Sequence, residues 1–226
     1  MLTVYGFNRL GDRVVGLTRD LRVLWAVEEL GLPYRVQGLD FEKDLNTTEY
    51  RKRSDFAQVP SIDDDGFVLA ESGAILLYLA EKAGAITAAD VRHRYDVTRW
   101  CIAALSTIEP PVLVVNGIAL SKASDAGSKH QLAQMTRLTE LRLMAVDHRL
   151  GEHDYIVDST FTVADILFVT VLRMLKGLGI VEQFANVRAY VDRCEKRPAW
   201  TKVLDAYEDR LHAPRGSARR SIPERV

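Results

Sequence analysis

The feature that most constrains this chain is a change in residue pattern near residue 88. Before it, short β-branched or aromatic runs, which favour strands, alternate with helical patterns in the order β-α-β-(α)-β-β-α. After it the periodicity is helical, and we find no further convincing strand pattern. Strands that alternate with a helix and then form a hairpin predict one small mixed sheet with helices packed on it. We therefore expect an α/β domain followed by an all-helical domain.

Local signals define the predicted elements of the first domain. Residues 19–30 have a helical pattern because Val23, Val27 and Leu30 recur at positions i, i+4 and i+7. An Asp-Gly turn ending at Gly66 separates two strand candidates, which is a strong hairpin signal. The predicted strands cover residues 2–7, 34–39, 58–62 and 66–69, with a loop at 8–17 and a second helix at 71–83.

The second domain is expected to be helical. Pro110-Pro111 should break or kink the chain, and residues 125–128 should form a turn. Residues 213–226 hold four arginines and two prolines with little apolar content, so we expect a disordered tail. The predicted helices cover residues 91–105, 131–150, 163–178 and 187–197, and the predicted domains are 1–84 and 90–212.

Charge and composition limit the classes of partner. The formal net charge of -1 gives no global field toward nucleic acid or an acidic membrane, so neither is an expected partner. The two cysteines, Cys101 and Cys194, lie far apart, which argues against a disulfide framework or a cysteine zinc site. The histidines show no ligand spacing, and no metal is expected. The N-terminus lacks a signal-peptide pattern, so we expect a cytoplasmic protein.

The run from Gln58 to Ile75 is the most informative part of the sequence. Pro60 stands inside a strand-like run, where it removes a donor from the ladder. A cis bond at Val59-Pro60 would expose the Val59 backbone to a peptide-like ligand, which could then add itself to the strand edge through main-chain hydrogen bonds. The alternative is an ordinary trans proline at the start of a strand.

Glu71 and Ser72 open the next predicted helix. Ser72 is a candidate N-cap, and the N–H groups and positive dipole end of the helix also suit a carboxylate. Glu71 offers an anion for an ammonium group. Together the two residues could hold both charges of an α-amino acid end, and the alternative is plain helix capping.

This block closely resembles the glutathione-binding block of cytosolic glutathione S-transferases. The resemblance implies a thioredoxin-like N-terminal domain with glutathione as co-substrate. It implies that Val59, before a cis Pro60, binds the cysteinyl backbone of glutathione, and that Glu71 and Ser72 bind its γ-glutamyl end. Gln58 matches a position that often contacts the glycyl end.

The resemblance extends over about residues 1–205. Residues 22–34 resemble the first helix of many bacterial members, and the likeness continues through Arg99-Trp100 to the segment 197–200. The family implies a homodimer and a small electrophilic substrate.

The run from Thr162 to Asp165 matches a second family feature. Thr162 is suited to cap a helix, and Asp165, three residues on, can reach back to its backbone N–H. We assign this box to folding rather than to catalysis.

The catalytic position is harder to assign. The reaction needs a glutathione thiolate, whereas the free thiol has a pKa near that of cysteine, about 8.5. A hydroxyl or helix-start N–H groups can stabilise the anion. Thr18 falls where several classes of the family carry serine and is the first candidate, with helix capping as its alternative role. Arg19 is the second, as a cation near the sulfur or a solvated side chain, and Tyr5 is the third.

Two departures from the family pattern leave ordinary transferase activity open. The loop at residues 8–17 is longer than in related sequences, with Gly11 and Gly16 making it mobile, and Ser54-Asp55 stands where many members carry Asn-Pro. No cysteine precedes Trp100, which disfavours disulfide exchange.

The sequence therefore predicts an enzyme that conjugates the glutathione thiolate to an electrophilic, mostly apolar small molecule. Two alternatives stay open. One is a glutathione-dependent isomerase, dehalogenase or lyase, and the other is a non-catalytic transferase-like module for binding or assembly.

Overall fold

A four-stranded sheet lies at the centre of the first part of the chain. The computed structural model describes residues 1–11, 14–87 and 89–212. The strand order is β2-β1-β3-β4; β1 pairs parallel with β2 and antiparallel with β3, and β3 pairs antiparallel with β4. The strands are β1 (Leu2–Phe7), β2 (Tyr34–Leu39), β3 (Ser61–Asp64) and β4 (Phe67–Ala70). This is the small mixed sheet that the sequence predicts, followed in the described part of the chain only by helices.

Helices cover most of the remaining described chain. They are α1 (Asp20–Glu29), α2 (Thr48–Arg51), α3 (Ser72–Lys82), α4 (Val91–Ala103), α5 (Glu109–Ser121), α6 (Ala126–Leu150), α7 (Val163–Leu172), α8 (Ala185–Glu195) and α9 (Pro198–His212). The predicted fold class, a thioredoxin-like domain and then a helical domain, is confirmed.

Helix α1 is buried along most of its length. Val23 and Val27, which carry the predicted apolar face, are fully buried, as is Trp25 between them. The helix stops before Gly31, whose φ of 64° is a left-handed conformation that glycine adopts without steric penalty. The apolar periodicity and the glycine stop are therefore enough to set this element.

The chain divides into two compact units, which group the last helix differently from the predicted domains. Among the described residues, the first unit is Met1–Ile86 with α9, and the second is Thr87–Arg197. The predicted range 90–212 placed α9 with the other helices. In the structure α9 packs on α1, where the rings of Trp25 and Trp200 lie 4.6 Å apart. The predicted tail at 213–226 lies outside the described residues.

Of the break or kink expected at Pro110-Pro111, the break does not occur. The chain passes from α4 into α5 through a π-helical turn, Ala104–Ile108, without leaving the helix. The two prolines occupy the first turn of α5. Proline is tolerated there because the N–H that it lacks is one that the first turn of a helix does not use. The π turn ends at Ile108, so both prolines lie at the start of the α-helical segment that follows it.

The expected turn at 125–128 is also wrong, because it is the start of α6. The Asp125 side chain accepts a hydrogen bond from the Ser128 backbone N–H at 3.0 Å, as an N-cap does. An aspartate side chain that accepts from the N–H three residues later is typical both of a turn and of a helix start. Here the chain continues as a helix.

By length and composition, one helix in the described part of the chain, Val91–Ser121, is apolar enough to cross a membrane. It spans α4, the π turn and α5. One side of it is buried in the protein, through residues such as Val97, Cys101 and Val112. The core helix of a soluble protein passes the same test, so the finding is weak evidence for a membrane.

The predicted capping box at Thr162 is confirmed. The Thr162 side chain accepts from Ala164 N, and Asp165 accepts from Thr162 N at 2.7 Å. The buried Asp165 carboxylate also accepts from Ile156 N and from the Tyr190 hydroxyl, both at 2.8 Å. Asp165 is therefore the centre of a hydrogen-bond network in the second unit, which supports its assignment to folding.

Candidate functional site

The five residues expected to bind glutathione line one small cleft in the first unit. Arg19 and Ser54 line it too. The complete lining is Arg19, Ser54, Gln58, Val59, Pro60, Glu71 and Ser72. Residues from the start of α1, the loop before β3 and the start of α3 are thus brought together. The sequence predicted each of these segments separately, and the sheet places them side by side.

The buried Tyr50 fixes the chain segment that carries Gln58 and Val59 into the cleft lining. The Val59-Pro60 bond is cis, as the sequence analysis proposed. The Tyr50 hydroxyl donates to the Gln58 carbonyl at 2.9 Å, and the Ser54 hydroxyl accepts from Gln58 N at 3.0 Å. Burial raises the pKa of the Tyr50 hydroxyl, which therefore stays protonated as a donor. These bonds fix the segment that carries Val59.

The strand after this segment begins later than expected. β3 starts at Ser61 rather than at Gln58. Proline has no N–H to donate, so the ladder with β1 begins only after Pro60. Ser54, at a position where the sequence departs from the family, supplies a bond that fixes Gln58.

Glu71, not Ser72, occupies the N-cap position of α3, which corrects the expected cap. Its backbone has φ 68° and ψ 112°, a strained conformation for a residue other than glycine. Its side chain is exposed. Ser72 is the first helical residue, and its buried hydroxyl accepts from Arg22 Nη1 at 3.2 Å. The start of α3, with its unpaired N–H groups and positive dipole end, therefore lies at the cleft.

Thr18 lies outside the cleft lining. Its hydroxyl donates to Asp20 Oδ1 at 2.6 Å and contacts the hydroxyl of Tyr207. The N-cap position of α1 belongs to Arg19, so Thr18 does not occupy the capping position considered for it. Arg19 lines the cleft directly. Of the two catalytic candidates, Arg19 therefore lies at the cleft, whereas Thr18 is hydrogen-bonded to the buried Asp20 carboxylate.

Asp20 is completely buried behind the cleft. Its Oδ2 accepts from Phe7 N at 3.0 Å and lies 3.4 Å from Arg210 Nη2. Burial raises the pKa of the Asp20 carboxyl, against the lowering effects of the Arg210 guanidinium and of the bonds from Thr18 and Phe7. Sequence reasoning missed this group, although an acid directly after Arg19 and a glycine inside β1 were visible signals.

Tyr5 and the long loop take other positions. Tyr5 lies in β1, with its ring 6.4 Å from the Tyr50 ring and under the guanidinium of Arg53 at 4.7 Å. It is not part of the cleft lining. Two residues of the loop at 8–17 lie outside the described chain. In the described residues no group of three or more His, Cys, Asp or Glu side chains could hold a metal ion.

Comparison with known proteins agrees with the fold. The chain matches the family model described as "Glutathione S-transferase, N-terminal domain" over residues 14–81. It matches "Glutathione S-transferase, C-terminal domain" over residues 88–198. The chain therefore belongs to the cytosolic glutathione S-transferase superfamily.

Individual relatives are distant but cover most of the chain. Glutathione S-transferase F12 of Arabidopsis thaliana is 24% identical over 195 residues, covering 81% of this chain and 91% of its own length. Glutathione S-transferase hmp2 of Hypomyces subiculosus is 26% identical over 198 residues, covering 80% and 92%.

Solved structures show the same likeness. A glutathione transferase family member from Pseudomonas fluorescens, with two glutathione molecules bound, superposes with a TM-score of 0.77 at 27% identity, over 90% of this chain and 92% of that one. A glutathione transferase from Burkholderia graminis, with two glutathione molecules per subunit, gives 0.79 at 25% identity, over 91% and 88%.

Proposed function

We propose that this protein is a glutathione transferase that conjugates the glutathione thiolate to an electrophilic, mostly apolar small molecule. The observation that carries the proposal is the cleft, where all five residues expected to bind glutathione meet in a chain of this family. The glutathione bound in the Pseudomonas and Burkholderia structures supports the choice of ligand.

The residues expected to bind glutathione have separate roles in this proposal. The Val59 backbone, before Pro60, binds the cysteinyl part of glutathione through main-chain hydrogen bonds. The exposed Glu71 carboxylate pairs with the γ-glutamyl ammonium group, and the N–H groups at Ser72 receive its carboxylate. Gln58 contacts the glycyl end.

Arg19 is supported as the cation that stabilises the thiolate because it lines the cleft. A nearby positive charge favours the ionised form of a thiol and lowers its pKa. Thr18, the first candidate from the sequence, becomes the second. It has one hydroxyl proton, which it donates to Asp20, so it could donate to sulfur only by giving up that bond.

Arg19→Gln should raise the pKa of the bound thiol by about one unit, because the variant removes the cation and leaves a shorter, neutral polar side chain. Arg19→Lys keeps the charge and is the control. Thiolate absorbance in the ultraviolet, followed against pH in both variants and in Thr18→Ala, gives the pKa. A shift in Thr18→Ala with none in Arg19→Gln would reverse the two assignments.

A binding and turnover test addresses the function itself. Immobilised glutathione should retain the protein, and a chloronitrobenzene electrophile should be consumed in the presence of free glutathione. Retention without consumption would contradict transferase activity and favour the non-catalytic alternative. Failure of retention would contradict the assignment of the cleft.

We propose a cytoplasmic homodimer, as the family implies. Each unit has exposed apolar side chains that a dimer interface could bury. They include Phe56 and Phe67 in the first unit and Ile102 in the second. Closed two-fold dimers are the commonest soluble oligomers. Light scattering at micromolar concentration should report twice the chain mass of 25.4 kDa, and a mass near 25.4 kDa would count against the dimer.

A further inference from the structure

The residues on either side of Arg19 in sequence, Thr18 and Asp20, belong to a buried polar cluster to which the proposed function assigns no role. Its centre is the fully buried Asp20 carboxylate, which accepts from Thr18 Oγ1 at 2.6 Å and from Phe7 N at 3.0 Å. Arg19 stands between Thr18 and Asp20 in sequence. The two sequence neighbours of Arg19, which lines the cleft, are therefore hydrogen-bonded to each other through the buried carboxylate.

Helix α9 completes this cluster from the far end of the chain. Arg210 donates from Nε to the Phe7 carbonyl at 3.0 Å, and its Nη2 lies 3.4 Å from the Asp20 carboxylate. Its guanidinium also lies 5.1 Å from the ring of Tyr207. The Tyr207 hydroxyl contacts Thr18 Oγ1, and the Tyr207 side chain is almost wholly buried.

The direction of the hydrogen bonds follows from the number of protons. Thr18 has one hydroxyl proton and gives it to Asp20. The contact between Thr18 and Tyr207 therefore has the phenol as its donor. Burial raises the pKa of Tyr207, so this phenol keeps its proton. The result is a directed chain of bonds from Tyr207 through Thr18 to Asp20.

The backbone is shaped to admit the carboxylate. A Cβ at Gly6 would lie 2.6 Å from Asp20 Oδ2, closer than real contacts allow. Gly6 in β1 is thus required by the close approach of Asp20 to the sheet.

Burying a charged pair in this way contributes little net stability, because the desolvation penalty offsets the attraction and an apolar cluster of the same volume would often be more stable. A fully satisfied buried network does hold its members in one arrangement. The cluster is therefore better explained by what it positions than by stability alone.

We propose that Tyr207 is a positioning residue of the glutathione site, acting through Thr18 and Asp20 to fix Arg19 at the cleft. The role assigned to Arg19 rests on the proposed function, whereas the hydrogen bonds of its sequence neighbours Thr18 and Asp20 do not. Helix α9 would then belong to the site although none of its residues lines the cleft.

Tyr207→Phe tests this because it keeps the ring and removes only the phenol oxygen. Tyr190→Phe is the matched control, since it removes one bond from another buried tyrosine to a buried aspartate in the second unit. We expect Tyr207→Phe to lower kcat/KM for glutathione about tenfold, since small displacements of positioned groups have effects of this order or more. We expect the control to keep the parent value per folded molecule.

A second readout works without glutathione. The Arg19 Nε–H resonance in the nuclear magnetic resonance spectrum should shift in Tyr207→Phe and keep its position in Tyr190→Phe. Arg210→Lys keeps a cation on α9 but loses the forked guanidinium. This variant should also shift the Arg19 resonance. If the resonance stays in place in Tyr207→Phe and Arg210→Lys, the positioning role is overturned. If it shifts in a protein that does not bind glutathione, the positioning role stands and the proposed function fails.

Discussion

Glu71→Ala should weaken glutathione binding by about 2–4 kcal/mol, or roughly 30- to 700-fold in Kd. The exposed Glu71 carboxylate is the anion assigned to the γ-glutamyl ammonium group of glutathione, and its loss leaves that charge without a partner. The positive φ of 68° at Glu71 costs alanine about as much conformational free energy as glutamate. The difference between the two Kd values therefore reports on the side chain. Titration calorimetry gives the two Kd values.

Two further variants make this test specific. Glu71→Gln keeps the shape and a hydrogen-bond acceptor but not the charge, and should fall between Glu71→Ala and the parent. Glu81→Ala removes an exposed glutamate elsewhere on α3 and should leave the Kd unchanged. Glutathione should also protect the parent against thermal unfolding, and Glu71→Ala much less. Equal binding by Glu71→Ala and the parent would show that the cleft is wrongly assigned.

Asp165→Ala should lower the free energy of unfolding by about 3 kcal/mol or more. The carboxylate accepts from the backbone of Ile156 and of Thr162 and from the Tyr190 hydroxyl, and alanine leaves these buried donors without an acceptor. For a chain of this length the melting temperature should fall by roughly 6–12 °C. Thermal and denaturant unfolding measure both quantities.

A matched variant separates this network from an ordinary cap. Asp90→Ala removes one exposed hydrogen bond, from His93 N at the start of α4, and should lower the free energy of unfolding by about 1 kcal/mol. Activity per folded molecule should stay near the parent value in both variants. A well-folded Asp165→Ala protein without turnover would mean that this residue takes part in the reaction.

Local sequence signals were sufficient for much of the first unit. β1 and β2 have the bounds that the sequence predicts. β1 is a short β-branched and aromatic run, and β2 is a weakly alternating run that follows the helix-ending Gly31 and Pro33. The glutathione block was also recognisable, because Pro60 and the pair Glu71-Ser72 occur together in the order of the family, although each alone has an ordinary structural alternative. Strand edges next to Pro60 moved by a few residues because the ladder needs N–H donors.

The contacts between residues far apart in the chain could not be predicted from local sequence signals. Nothing in the residues of α9 indicates that Tyr207 and Arg210 meet Asp20, because that contact depends on where the last helix packs. Proline signals were also ambiguous, since Pro110-Pro111 can end a helix or begin one. Which outcome occurs depends on the π turn before them, a tertiary feature without a local signature.

The most direct test of the central claim, that the cleft binds glutathione and ionises its thiol, is an ultraviolet difference titration of the parent protein with glutathione between about pH 5 and pH 9. Thiolate absorbance should appear on binding, with an apparent pKa at least one unit below the value of about 8.5 expected for a free thiol. Binding with the pKa of free glutathione would contradict the ionising role of the site, and the absence of any binding signal would contradict the assignment of the cleft.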